Sequence, residues 1–133
     1  MVIVDTTVWI DYLGGVVNPQ TEWLDREITL QRIGLTDMIL CEVLQGIRET
    51  SEFQRTRDRI LTFDIFSTGG AETALAAAAN CRTLRQRGYT IRKTVDCWIA
   101  TFCLSSKHQL LHRDRDFDPF ENLLGLQVVH PRP

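Results

Sequence analysis

The sequence predicts an α/β fold whose mainly parallel sheet is covered by helices on both faces. Three observations carry the prediction. Short runs such as "MVIV", "TFDIF", "QLLH" and "LQVVH" are apolar throughout rather than alternating, as in strands buried on both faces. Stretches with helical spacing separate these runs along the chain. The 133 residues are 44% hydrophobic and 24% charged, which suits one globular domain over 1–133 with a real core and excludes a disordered chain.

Taken in order, "MVIV" is a buried strand closed by Asp5, and "TTVWIDYL" a short helix stopped by Gly14 and Gly15. "PQTEWLDREITLQ" is the next helix, with Pro19 and Thr21 at its start. A short strand near Ile33–Leu35 leads into a helix opened by Thr36 or Asp37 and ending near Ile47. "SEFQRTRDRIL" is a helix and "TFDIF" a second buried strand. The alanine-rich "AETALAAAANCRTLRQR" is a strong helix former closed by Gly88. "TVDCWIATFCLSS" is a largely apolar helix capped by Thr94, "QLLH" a strand, and "LQVVH" the last one. Asp118, beside Pro119, caps a short helix between these two strands.

Several function classes drop out. No uncharged run exceeds about ten residues, short of the roughly 18 that a membrane helix needs. "MVIVD" has no basic n-region before its apolar residues, so no signal peptide is expected and the expected compartment is the cytoplasm. Cys41, Cys81, Cys97 and Cys103 include no C-x-x-C pair, which leaves small buried thiols rather than a zinc site. His108, His112 and His130 form no ligand pattern. A net charge of −2 disfavours a general nucleic-acid coat. Yet Arg82, Arg85, Arg87, Arg92 and Lys93 lie in a tract free of acids between Glu72 and Asp96. That tract suits phosphates, and it equally suits a solvated helix end whose arginines complement the dipole.

The acids are more telling. In a parallel sheet, ligands bind beyond the carboxyl ends of the strands, where strand order reverses. Asp5 follows the first strand, where it either caps a helix or faces that edge. Glu42 lies beside the apolar face formed by Ile39, Leu40, Val43, Leu44 and Ile47, with open space expected at Gly46 one turn on. Asp96 is the only charge from Val95 to Ser106, in a helix apolar nearly all round, which must be mostly buried. Its place in the first turn makes an anion tolerable there. Asp114 and Asp116 follow "QLLH", where Arg113 and Arg115 neutralise them if the loop is merely exposed. If these acids converge, each pair 4 Å apart repels by roughly 4 kcal/mol at an effective dielectric near 20. A bound dication relieves that repulsion at neutral pH, and oxygen-only ligands favour Mg²⁺ or Mn²⁺. With no P-loop, no G-x-G-x-x-G and no Ser/His/Asp arrangement, the natural client of such a metal is a phosphate.

"VIVDTTVWID", "ILCEVLQG", "TVDCWIA" and "HRDRDFD" together resemble, in order and spacing, the PIN-domain nucleases, and most of all the VapC-type toxins of bacterial toxin–antitoxin pairs. The resemblance runs from Val2 to His130. It implies a five-stranded parallel sheet in a three-layer α/β/α sandwich, and a Mg²⁺- or Mn²⁺-dependent endoribonuclease. It implies that Asp5, Glu42, Asp96 and Asp114 are the catalytic, metal-binding quartet, that Asp116 is a further metal-binding acid, and that Thr6 is a supporting hydroxyl. Many such proteins carry Ser or Thr two residues before the fourth acid, where this chain has His112. The implied partners are an RNA substrate, a cognate VapB-like antitoxin and, in a homodimer, a second copy. Arg82, Arg85, Arg87, Arg92, Lys93, Arg113 and Arg115 would draw RNA to the acids. The antitoxin would lay an apolar helix in a groove and set a basic side chain near the acids, with Trp9, Tyr12 and Leu13 either lining that groove or in the core.

Two rival readings stand beside this one. A HAD-like phosphotransferase needs an acid two residues after the first, where this chain has Thr7. The other rival is a non-catalytic, acid-lined domain that binds a protein or RNA partner.

Overall fold

The computed structural model describes residues 1–132. Its centre is β1 (Val2–Val4), every residue of which is buried. β1 is flanked by β2 (Ile33–Thr36) and β4 (Gln109–Leu111), with β3 (Asp64–Phe66) outside β2. The order β3-β2-β1-β4 is parallel throughout, with Ile3 opposite Gly34 on one side and Leu110 on the other. The chain steps outwards from β1 to β2 to β3 and then crosses to the far side of β1. Strand order therefore reverses between β1 and β4, and that reversal positions the site.

Two groups of helices flank the sheet. α1 (Thr6–Leu13) packs on α2 (Pro19–Glu27) and α3 (Asp37–Gln45), and α3 packs on α4 (Thr50–Ile60). α5 (Ala71–Gln86) packs on α6 (Thr94–Ser106) and α7 (Asp118–Leu124). Trp9, Phe117, Phe120, Ile3, Leu35 and Leu110 are among the fully buried side chains that fill the space between layers. Trp9 is thus core, whereas Tyr12 and Leu13 are only half-buried.

Most predicted elements are present. Asn18 and Thr21 form a reciprocal capping box at the start of α2. The Thr36 side chain accepts the Ile39 N–H and opens α3. Gly88, at φ 93°, follows the end of α5, where the Tyr89 N–H returns to the Leu84 carbonyl.

The differences have local causes. The sheet has four strands rather than five, because the "LQVVH" segment makes only one parallel bridge, between Leu110 and Val128. Pro131 offers no N–H to extend that ladder. β3 is half-buried rather than buried, as an edge strand with a neighbour on one side only. α2 stops at Glu27 and α3 at Gln45, each earlier than expected, with turns beyond them. Thr94 is the first residue of α6 rather than its cap; Lys93 occupies the cap with no side-chain bond. Asp118 likewise begins α7, because the 3-10 turn Arg115–Phe117 runs directly into it and leaves Phe117 at the cap. The thiols are not uniformly buried: Cys97 and Cys103 are, Cys81 is partly accessible and Cys41 is exposed.

Gly34 is where β2 must lack a side chain. A Cβ there would sit 2.9 Å from the Asp64 carbonyl oxygen of β3 and 3.0 Å from the Phe66 ring. Gly34→Ala is expected to lower unfolding free energy by about 1–3 kcal/mol in chemical denaturation. Gly46→Ala, facing open space, is expected to cost nothing measurable in the same assay.

Candidate metal centre

The sheet's carboxyl edge gathers the acids from four elements. Asp5 leaves β1 buried, its N–H bonded to the Leu111 carbonyl of β4 at 2.9 Å. It stands at the cap position of α1 without a side-chain capping bond. Instead, Oδ2 accepts from the Thr7 hydroxyl at 3.2 Å. Glu42 is half-buried on α3, and its Oε1 accepts from the Thr6 hydroxyl at 2.7 Å. Asp96 is buried in the first turn of α6, and its Oδ2 has no hydrogen-bond partner. Asp114 and Asp116, both half-buried, follow β4; Asp114 Oδ1 accepts the Asp116 N–H at 2.9 Å and so starts the 3-10 turn.

Each of Asp96, Asp114 and Asp116 offers a carboxylate oxygen within 4.8 Å of the other two. Asp5 and Glu42 adjoin this trio electrostatically. Burial pushes the Asp5 carboxyl up to about 7, and the charges of Asp96 and Glu42 add to the rise. Burial raises Asp96 to about 6; Lys93 opposes the shift, while Asp114, Glu42 and Asp116 reinforce it. The donors are all hard oxygens, one of them buried without a partner. Such a set fits a hard divalent cation and does not fit zinc's preferred nitrogen and sulfur ligands.

Residues outside the acids hold the arrangement. The Asp114 N–H donates to His112 Nδ1 at 3.1 Å, and the His112 ring packs on Phe117 with centroids 4.9 Å apart. His112 is thereby a neutral acceptor, and burial lowers its pKa further. Asp11 accepts from Asn18 at 3.1 Å and lies 3.9 Å from Arg113, tying the end of α1 to the Asp114 loop. Asp11 and Thr7 had no signal in the sequence beyond proximity to an acid, whereas His112 stood out as the residue two before the fourth acid, with no sign that its ring nitrogen would accept the Asp114 N–H.

The basic residues are all exposed. Lys93 is close enough to lower the pKa of Asp96, and Arg113 and Arg115 flank Asp114 in sequence. Arg82, Arg85 and Arg87 lie on the last turns of α5 or just beyond, and Arg92 between α5 and α6.

The PIN domain family model matches residues 2–122. The chain belongs to the PIN domain family. Among curated relatives, Ribonuclease VapC11 of Mycobacterium tuberculosis is 27% identical over 132 residues, covering 97% of this chain and 98% of its own. Among solved structures, VapBC2 from Rickettsia felis bound to a promoter DNA fragment superposes with a TM-score of 0.75 at 18% identity, covering 97% of this chain and 98% of its own. A toxin–antitoxin complex from Klebsiella pneumoniae gives 0.73 at 20% identity, covering 99% and 98%. At such identities the two structures establish a shared PIN fold.

The crowded acids make stability depend on pH. The folded protein keeps protons on Asp5 and Asp96 up to about 7 and about 6, against 3.8 ordinarily. Between those limits the folded state binds more protons than the unfolded chain, so its stability falls as pH rises and the loss is complete above about 7. Melts of the cation-free protein are expected to show that decline, with Asp5→Asn flattening it and Mg²⁺ raising Tm more at pH 8 than at pH 5. Thr6→Val, which frees Glu42, is expected to weaken the binding of a divalent cation offered to these acids about tenfold in calorimetric titration.

Proposed function

We propose that this protein is a metal-dependent endoribonuclease, acting as the toxin of a toxin–antitoxin pair and held inactive by a cognate antitoxin. The observation that carries the reading is the buried, unpartnered Asp96 Oδ2 beside Asp114 and Asp116. Membership of the PIN family and the ribonuclease name of a relative spanning nearly the whole chain support the same chemistry. The name of the Klebsiella complex supports the toxin–antitoxin role.

In this reading Asp96, Asp114 and Asp116 hold Mg²⁺ or Mn²⁺, with Asp5 and Glu42 completing the acidic wall. The cation supplies Lewis acidity at the scissile phosphate and makes water a better nucleophile there. The chain's own residues set the geometry. The Thr6 hydroxyl fixes Glu42, the Thr7 hydroxyl stabilises ionised Asp5, and His112 Nδ1 pins the backbone that carries Asp114. Asp5 and Asp96 release their protons as the cation binds, so affinity rises with pH. Lys93, close enough to Asp96 to lower its pKa, and Arg113 and Arg115, which flank Asp114 in sequence, draw the RNA backbone in; Arg82, Arg85, Arg87 and Arg92 extend the positive field.

The antitoxin is assigned to the groove between α1, α3 and α4, lined by Ile10, Leu13, Val43 and Ile47 with Glu52 and Thr56 at its rim. Ile10 is half exposed there, which suits an apolar helix from a partner. Among the described residues no helix is long and apolar enough to cross a membrane. We assign the protein to the cytoplasm, where its RNA substrate resides, and to a homodimer.

The test is cleavage of total cellular RNA by antitoxin-free protein. Cutting is expected with Mg²⁺ or Mn²⁺, none with EDTA, and Asp96→Asn is expected to lose about a hundredfold or more. Cutting that persists in Asp96→Asn overturns the site assignment. No cutting with either metal overturns the enzyme reading in favour of a binding domain.

A further inference from the structure

The interface between α5 and α6 holds a feature that the acidic site does not use. Cys81 on α5 and Cys97 on α6 approach to 2.7 Å between sulfurs, and the Cys97 thiol also donates to the Ala77 carbonyl at 3.1 Å. Cys97 is buried, whereas Cys81 is partly accessible. A cavity of about 250 Å³ opens beside them, lined by Ala74, Ala78, Ile91 and Trp98, with Arg85 its one charged lining residue. Bonded sulfurs lie about 2.05 Å apart, so the two sulfurs stand within a short approach of bonding distance.

We propose that Cys81 and Cys97 form a reversible dithiol–disulfide site that reacts with anionic low-molecular-weight disulfides of the glutathione type. Its accessibility makes Cys81 the attacking residue. The Cys81 sulfur bonds to one sulfur of the small disulfide, whose own S–S bond breaks, and the first small thiol leaves with the Cys81 proton. The Cys97 sulfur then attacks Cys81 in the mixed disulfide, and the second small thiol leaves with the Cys97 proton. The two cysteines are oxidised by two electrons and the small disulfide is reduced to two thiols. Arg85 at the cavity complements the reagent's carboxylates. Cys97 directly follows Asp96 in the first turn of α6, so the oxidised pair anchors to α5 the turn that carries this acid.

The test uses the full chain with Cys41→Ser, which removes the exposed competing thiol. The reduced protein is incubated with oxidised glutathione, alkylated after denaturation, and mapped by mass spectrometry. Two of its three thiols are expected to disappear with no adduct retained, as a cross-linked pair of peptides containing Cys81 and Cys97. Reduced glutathione should restore both. Adding Cys97→Ala is expected to trap one glutathionyl group on Cys81; circular dichroism establishes that this variant is folded, and if it is not, the cross-link in the parent decides alone. Three thiols surviving incubation, or a lasting adduct on Cys81 while Cys97 is present, overturns the proposal.

Discussion

Burial of carboxylates at one end of the sheet, with their mutual repulsion adding to it, is the constraint on which the site and its surroundings depend. A pair of charges at about 4 Å costs roughly 4 kcal/mol at an effective dielectric near 20, and this edge collects five acids. The fold tolerates them because the energy comes from elsewhere. β1 is buried between two parallel neighbours, and large side chains such as Trp9, Phe117 and Phe120 are fully enclosed. The same burial that stabilises the sheet strips water from Asp5 and raises its pKa to about 7. Core and site are thus two consequences of one desolvated strand end.

Topology converts that strain into a site. β1 and β4 are neighbours in space although more than a hundred residues separate them, so Asp5 and Asp114 leave adjacent strands on the same edge. α6 contributes Asp96 from its first turn, and α3 brings Glu42 to within reach of the Thr6 hydroxyl. None of these acids is unusual within its own element. Their convergence follows from the order β3-β2-β1-β4, which places the switch point beside β1.

How much of this was legible in the sequence depended on range. Strands and helices were readable because apolar runs and helical spacing are local signals, and the lone charge in the apolar α6 marked Asp96 as exceptional. Boundaries were less readable: whether Asp118 caps α7 or begins it depends on the 3-10 turn before it, and that turn depends on Asp114 bonding the Asp116 N–H. The fifth strand failed for a related reason, since an apolar run predicts burial but not how far its pairing extends: Pro131 ends the ladder after the single bridge of Val128 to Leu110. The Cys81–Cys97 contact had no signal at all, because it depends on the rotation of two helices about their axes.

His112 shows how a departure from a family's usual residue resolves into the same physics. At a position where a hydroxyl is common in the resembling proteins, this chain presents an imidazole, which is bulkier and titratable. The ring nitrogen Nδ1 accepts the Asp114 N–H, as a hydroxyl oxygen is able to do. An acceptor at Nδ1 requires the tautomer protonated at Nε2, and a second proton would remove the acceptor altogether. Burial keeps that second proton away by lowering the pKa, and packing against Phe117 fixes the ring plane. In this chain the position therefore supplies an acceptor aimed at one backbone N–H, held in the accepting state by burial and packing, with the protonated Nε2 left buried and unpartnered.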